Sequence, residues 1–204
     1  LLSIPKEEKN IEDLRSYRYA WTVGFGDIPA SRETQKSLEK LALSLENLGC
    51  CIEEHNPPNL DFTIARDTYS KILSFEFGLS SVNQQQYENA LSRRKDIIAI
   101  LEKFLSDWDV WLCPVVPIPA FKHQQWEEDI DIDGKQFPYL RAIGAYTTIF
   151  NLAGLPVVVL PFTQSQKGLP IGVQVVGRRG SDMRLLEIAE KLTQITGHFQ
   201  APPG

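Results

Sequence analysis

The residues with chemistry to offer are three histidines, three cysteines, a run of alternating aspartates and a few glycine pairs. His55, His123 and His198 stand far apart, near element ends or in loops, and no G-x-S-x-G segment accompanies them. A Ser-His-Asp hydrolase needs nucleophile, base and orienting acid brought together, and nothing in the pattern does so. The histidines read as solvated surface side chains. Cys50 and Cys51 are adjacent and Cys113 is remote, which gives neither a disulfide framework nor C-x-x-C metal spacing. Cys113 lies between Leu112 and Pro114 with no local cation to lower its pKa, so it reads as a buried, inert thiol.

Asp129, Asp131, Asp133 and Gly134 match the first half of a calcium loop, D-x-D-x-D-G. The twelfth position should then be a bidentate glutamate, but it is Leu140, and Pro138 interrupts the exit helix. The run is therefore expected to be a hairpin with a solvated acidic face, turning at Asp133-Gly134, where positive φ is needed. The glycine pairs of "GFGDIP" and "GRRGSD" lack the spacing that brings backbone amides up to phosphates. Neither a metal nor a cofactor is expected.

The elements that must position any site follow from the hydrophobic pattern. With 204 residues, 43% hydrophobic and 23% charged, the chain suits one globular core. Its net charge of -5 has no basic stretch to offset it, which argues against nucleic acid or an anionic membrane as partner. No apolar run approaches the roughly 18 to 20 residues of a membrane-spanning helix. Sparse cysteines point to a reducing, cytoplasmic setting. Residues 1–14 read as a polar connector, 15–197 as the body and 198–204 as a tail. The start "LLSIPKEEKN" carries no methionine and no secretory pattern, so a preceding part of the protein is expected.

"YRYAW", a helix from Ser31 closed by Gly49, and "CCIEEH" form a strand, helix, strand unit, the signature of an α/β protein. Phe62 to Phe77 and Asn83 to Leu105 carry helical patterns. Val110 to Cys113 is a short buried strand that delivers a loop stiffened by Pro114, Pro117 and Pro119. "PYLRAIGAYTTIFNLAG" is helical. "VVVLP" then reads as a strand buried on both faces, at the centre of a large sheet. "PIGVQVVG" and a helix from Ser181 to Gly197 complete the body. Taken alone, the strand, helix, strand unit also fits a flavodoxin-like binder, but the phosphate loop such a protein needs is missing.

The order of "ALSRRKDIIAILEKFLSDWDVWLCPVVPIPAF", "YTTIFNLAGLPVVVLPF" and "GLPIGVQVVGRRGSDMRLLEIAEKL" resembles the C-terminal half of amidase signature enzymes. The resemblance runs across nearly the whole chain, including "LRSYRYAWT" and "LGCCIEE". It implies an α/β fold, a mixed β-sheet flanked by helices, and hydrolysis or transfer at a carboxamide. The family's serine nucleophile, its second serine in a cis peptide and its lysine base belong to segments that do not occur here. Ser80-Ser81 lacks the glycines that flank the family's serines. No catalytic residue is therefore assigned.

What carries over is one wall of a substrate pocket. Its candidate residues are Trp111, Pro114 and Phe121 on the strand and loop, and Tyr146, Thr147 and Asn151 on the helical segment. Asn151 could also satisfy backbone groups at the helix-to-strand junction. In the glutamine-using amidotransferase subunits an acidic residue precedes that asparagine by about seven positions, whereas "AIGAYTTIFN" has no acid, which favours a general amidase. The expected partners are the N-terminal half of the same enzyme, a small-molecule amide and further copies of the chain, because half a sheet exposes strand edges. A free-standing, non-catalytic binding module on the same fold is the alternative.

Overall fold

The computed structural model describes residues 11–79, 81–125 and 127–197. The stretch 1–10, Ser80, Trp126 and the tail 198–204 with His198 lie outside the described residues. Of the predicted connector, Ile11–Ser16 is a short 3-10 helix, and Leu14 within it is fully buried. The packed part of the chain thus reaches back at least to Leu14.

A five-stranded sheet organises the body. In chain order its elements are β1 (Arg18–Trp21), α1 (Arg32–Asn47), β2 (Cys51–Glu54), α2 (Phe62–Glu76), α3 (Gln84–Ser106) and β3 (Val110–Pro114). The hairpin β4 (Ile130–Ile132) and β5 (Lys135–Phe137) follows, then α4 (Tyr139–Gly144), α5 (Thr148–Ala153), β6 (Val157–Gln164), β7 (Pro170–Val176) and α6 (Asp182–Thr196). The strands lie in the order β2-β1-β3-β7-β6. β1 runs parallel to both β2 and β3, and β7 runs antiparallel to β3 and β6. The expected mixed sheet flanked by helices is what the chain forms.

Strand alternation sorts the side chains into two cores. Tyr19, Val110, Leu112, Val173 and Val175 meet Leu38, Leu41 and Leu45 of α1 and Leu185, Ile188 and Leu192 of α6. Ala20, Trp111 and Cys113 face the other way, toward Ala65 of α2, Ile97, Leu101 and Phe104 of α3, and the α4 and α5 residues Ala142, Ile149 and Phe150. All five residues of β3 are buried, as its central place between the two layers requires.

The helices begin where their caps place them. Ser31 accepts from the Thr34 amide, Asp61 from the Thr63 and Ile64 amides, and Asn83 and Gln86 form a reciprocal capping box. Three arginines from distant parts of the chain close helix ends by donating to their last carbonyls. Arg15 reaches Leu48 O after α1, Arg178 reaches Leu105 O and Ser106 O at the end of α3, and Arg94 reaches Leu152 O in α5.

Several expectations are corrected. The segment "PYLRAIGAYTTIFNLAG" is two short helices broken at 145–147, with Pro138 setting where the first begins. "VVVLP" is not central in this chain. β6 is the last strand of the sheet, half-buried, with Val159 54% exposed, and its Pro161 sits beside a register shift. Proline has no amide to donate and tolerates such a position at an edge or a bulge. The aspartate run does form a hairpin with Asp129, Asp131 and Asp133 exposed, turning with Asp133 at φ 51° and Gly134 at φ 87°, and two of its carboxylates also bond the backbone. Asp131 accepts from the Gly134 amide, and Asp133 accepts from the Arg32 amide at the start of α1.

Gly154 ends α5 in the left-handed region at φ 67°. A side chain there strains the backbone by about 1–2 kcal/mol. Gly154→Ala is therefore expected to lower the unfolding free energy by that amount in a urea titration, with no change in far-ultraviolet circular dichroism of the native state.

Candidate functional site

The C-terminal ends of β1 and β3 point the same way, because these strands are parallel neighbours. The segments leaving them, 22–31 and 115–121, meet at the hydrogen bond from Ser31 N to Pro117 O, 2.7 Å. In α/β sheets this is the end at which sites form.

One side chain ties the region together. Gln174 of β7 is 3% exposed, and its Nε2 donates to Pro114 O at 2.7 Å and to Tyr146 O at 2.9 Å. The last carbonyl of β3 and the carbonyl between α4 and α5 are thereby fixed against each other. Nε2 also lies 3.5 Å from Cys113 Sγ. Burial drives the Cys113 thiol well above its ordinary pKa, with the Gln174 contact opposing only weakly, so the sulfur stays a neutral thiol.

Aromatic rings fill the space beneath. Phe25 stacks on Phe62, Tyr146 and Trp111 with centroids 4.5, 4.9 and 5.5 Å apart, and meets Phe150 edge-on. Their polar atoms are satisfied inside the protein. Trp111 Nε1 donates to Thr22 Oγ1 at 2.8 Å, Thr22 Oγ1 donates to His55 O at 3.0 Å, and the Tyr146 hydroxyl donates to Ile28 O at 2.9 Å. Burial raises the Tyr146 phenol far above its ordinary value, so it serves as a hydrogen-bond donor and not as a base.

Among the sequence-predicted residues, Trp111 and Tyr146 are fully buried and stacked on Phe25, and Pro114 is buried with its carbonyl on Gln174. Thr147 is half-buried and Asn151 exposed, one helical turn further on. Phe121, 39% exposed, stands apart on its loop and touches Tyr139 edge-on. Asn151 does not close the helix-to-strand junction. Arg94 on Leu152 O and the Leu155 amide on Phe150 O do so, and the Asn151 side chain has no hydrogen bond among the described residues. Gln174, Phe25 and Thr22 were missed. The signal for Gln174 was present: a single amide inside the apolar run "IGVQVV" must find partners if the strand is buried. No group of three or more metal-ligating side chains exists among the described residues.

The sequence profile described as Amidase matches residues 70–186, which contain β3, α4 to β7 and Gln174. The chain belongs to the amidase family. It is 31% identical over 140 residues to the glutamyl-tRNA(Gln) amidotransferase A subunit of Methanococcoides burtonii, covering 68% of this chain and 28% of that protein. The crystal structure of the glutamyl-tRNA(Gln) amidotransferase A subunit from Thermotoga maritima superimposes with a TM-score of 0.70 at 25% identity, over 92% of this chain and 44% of that one. A bacterial aryl acylamidase of the amidase signature family shares the fold at 17% identity, with a TM-score of 0.74 over 89% of this chain and 44% of its own. The chain thus spans less than half the length of these relatives.

Replacing Gln174 by leucine keeps the bulk but leaves Pro114 O and Tyr146 O buried and unpaired. At about 1–3 kcal/mol for each orphaned group, the loss of stability should be on the order of 2–6 kcal/mol. Chemical denaturation of Gln174→Leu beside Gln174→Glu measures it, and an unchanged midpoint for the leucine variant would show that the two carbonyls are not held by this amide.

Proposed function

We propose that this chain is the C-terminal portion of an amidase signature hydrolase, building the scaffold and one wall of the substrate pocket. In this reading a preceding portion of the same enzyme supplies the nucleophilic serine, its cis-serine partner and the lysine base. The serine oxygen adds to the carboxamide carbonyl, the C–N bond breaks with a proton passing to the leaving amine, and water then cleaves the acyl ester. Residues of this chain hold the wall still while that happens. Gln174 sets the spacing of Pro114 and Tyr146, and the Phe25 stack keeps Trp111 and Tyr146 from shifting. Phe121, Thr147 and Asn151 are the exposed or half-buried positions through which the wall would touch the amide.

The observation that carries this reading is the outer edge of β6. It lies inside the matched family region, yet it has no neighbouring strand among the described residues, and Val159 stands out of it largely exposed. An apolar strand edge of this kind calls for another strand, and the length of the relatives leaves room for one. The opposite edge, β2, carries exposed Glu53 and Glu54 and is protected by charge. In the absence of the preceding portion the β6 edge would pair copies of the chain, giving a homo-oligomer.

A second reading, the A subunit of an amidotransferase, is favoured by the resemblance to the Methanococcoides burtonii protein. Against it, Gly144 stands seven residues before Asn151, and "AIGAYTTIFN" contains no acid to receive a substrate ammonium. A free-standing binding module remains the non-catalytic alternative. Among the described residues no helix is long and apolar enough to cross a membrane.

The reading is tested by assaying a panel of carboxamides with this chain alone and with the protein extended upstream in its gene. Turnover by the extended protein only is the expected outcome; serine-dependent turnover by residues 1–204 alone would overturn it. Sedimentation velocity should show the isolated chain as an oligomer that the Val159→Lys variant converts to monomer.

A further inference from the structure

At the far side of the sheet from β6, the backbone of β2 is open. β2 pairs with β1 alone, in parallel, with Tyr19 beside Ile52 and Trp21 beside Glu54. The His55 amide just past the strand donates to Trp21 O, so the backbone groups of His55 face β1. Those groups alternate in direction along a strand. Cys51 and Glu53 therefore turn theirs inward as well. The N–H and C=O groups of Ile52 and Glu54 point out of the sheet, where no strand meets them among the described residues. A row of such groups is the template for one more strand.

Beside that edge lies room for side chains. α1 covers the face on which Trp21 and Ile52 stand. Between α1 and β2 opens a cleft of about 280 Å³, lined by Trp21, Ala42, Leu43 and Ile52 together with Glu39 and Glu46. Leu43 is 55% exposed, while Leu38, Leu41 and Leu45 of the same helix fill the core. As the crossover between two parallel strands, α1 runs opposite to β2. Glu46 therefore lies toward the start of β2, Leu43 in the middle, and Glu39 toward its end, where Glu54 points to the same face. Glu53 stands on the other face. All of these glutamates are exposed, and none has an ion-pair partner among the described residues. Asp27, Asp67, Glu102 and Asp109, by contrast, each hold an arginine. Lys36 and Lys40, also on α1, do not line the cleft.

We propose that the β2 edge and the cleft beside it dock an extended, cationic segment of a partner protein as an added strand. Its pattern is basic, any, apolar, any, basic. Alternate side chains of a strand share a face, so the three specified residues fall on the cleft. The apolar one enters between Leu43, Trp21 and Ile52, and the basic ones meet Glu46 at one end and Glu39 with Glu54 at the other. The lengths agree: seven helical residues from Glu39 to Glu46 rise about 10 Å, and four strand residues about 13 Å, within the swing of lysine side chains. Charge that keeps two copies of β2 from pairing thus selects a partner of opposite sign. This surface lies outside the pocket wall and does not depend on the chemistry proposed for it.

The probe is a short blocked peptide with lysine, leucine and lysine at alternate positions and threonine between them. Added to the chain at millimolar concentration, it should shift the outward amide resonances of Ile52 and Glu54 more than those of Cys51 and Glu53, and move the Trp21 indole N–H. Glu46→Lys combined with Glu54→Lys changes only exposed side chains and should weaken binding about tenfold or more while the remaining amide spectrum stays in place. The same peptide with alternate backbone amides N-methylated keeps its charge and cannot pair, so it too should bind about tenfold more weakly. Equal binding of the methylated peptide, or of one with glutamate for lysine, overturns the site, as does a folded chain that shows no shifts or shifts at β6 instead. Two other occupants are separated in parallel. Self-association that persists in Val159→Lys with the Ile52 and Glu54 amides protected from exchange places a second copy on the edge, and loss of peptide binding in the protein extended upstream places the preceding portion there. Either result overturns the proposal, and retained binding in the extended protein supports it.

Discussion

The geometry of this five-stranded sheet turns on one buried primary amide. Gln174 projects from β7, and both donors of its Nε2 are used, on Pro114 O at the end of β3 and on Tyr146 O between α4 and α5. Neither carbonyl could be left bare in so dry a place. The break between two short helices, the direction of the proline-stiffened loop and the placing of the Phe25 stack are compatible with each other because that amide makes them so. An amide suits the task better than a charged group, since it is desolvated at modest cost and its two donors diverge in a plane.

Much of the architecture was legible in the sequence because it rests on local rules. Helix starts at Ser31, Asp61 and Asn83, the period of Leu38, Leu41 and Leu45, and the tight turn at Asp133-Gly134 all follow from chemistry within a few residues. The places that resisted depend on contacts between residues far apart in the chain. "VVVLP" has the composition of a central strand, but its rank in the sheet is fixed by which other strands exist, and among the described residues none lies beyond it. Asn151 looks like a junction cap by position, yet Arg94, 58 residues away from Leu152, takes the carbonyl instead. By type and place Trp111 and Tyr146 suit a pocket lining. Their packing on Phe25, whose importance no local pattern betrays, places them in the core.

The arginines show how one residue type serves two structural ends. Where a guanidinium meets a helix end, its donors and the helix dipole are matched, and the side chain has become part of the backbone's own hydrogen bonding. Where Arg66 and Arg141 lean on the single carboxylate of Asp27, an ion-pair cluster ties a turn to two helices. Similar composition thus yields a sealed joint at Leu152 and an ion-pair cluster at Asp27, and the difference lies in which elements the fold places opposite.

The mixed character of the sheet also sets an order of assembly. β6 and β7 are close in sequence and pair antiparallel, so their hairpin closes a short loop at little entropic expense. The Gln174 contact with Pro114 spans 60 residues and that with Tyr146 spans 28. Such distant closures come late in folding, since each must overcome chain entropy before any contact rewards it. The joint among Pro114, Tyr146 and Gln174 is therefore expected to be the last thing the chain completes. A partly folded molecule would already display helices and a hairpin while that joint remained open, so burial of the Gln174 amide would report full folding more faithfully than secondary structure does.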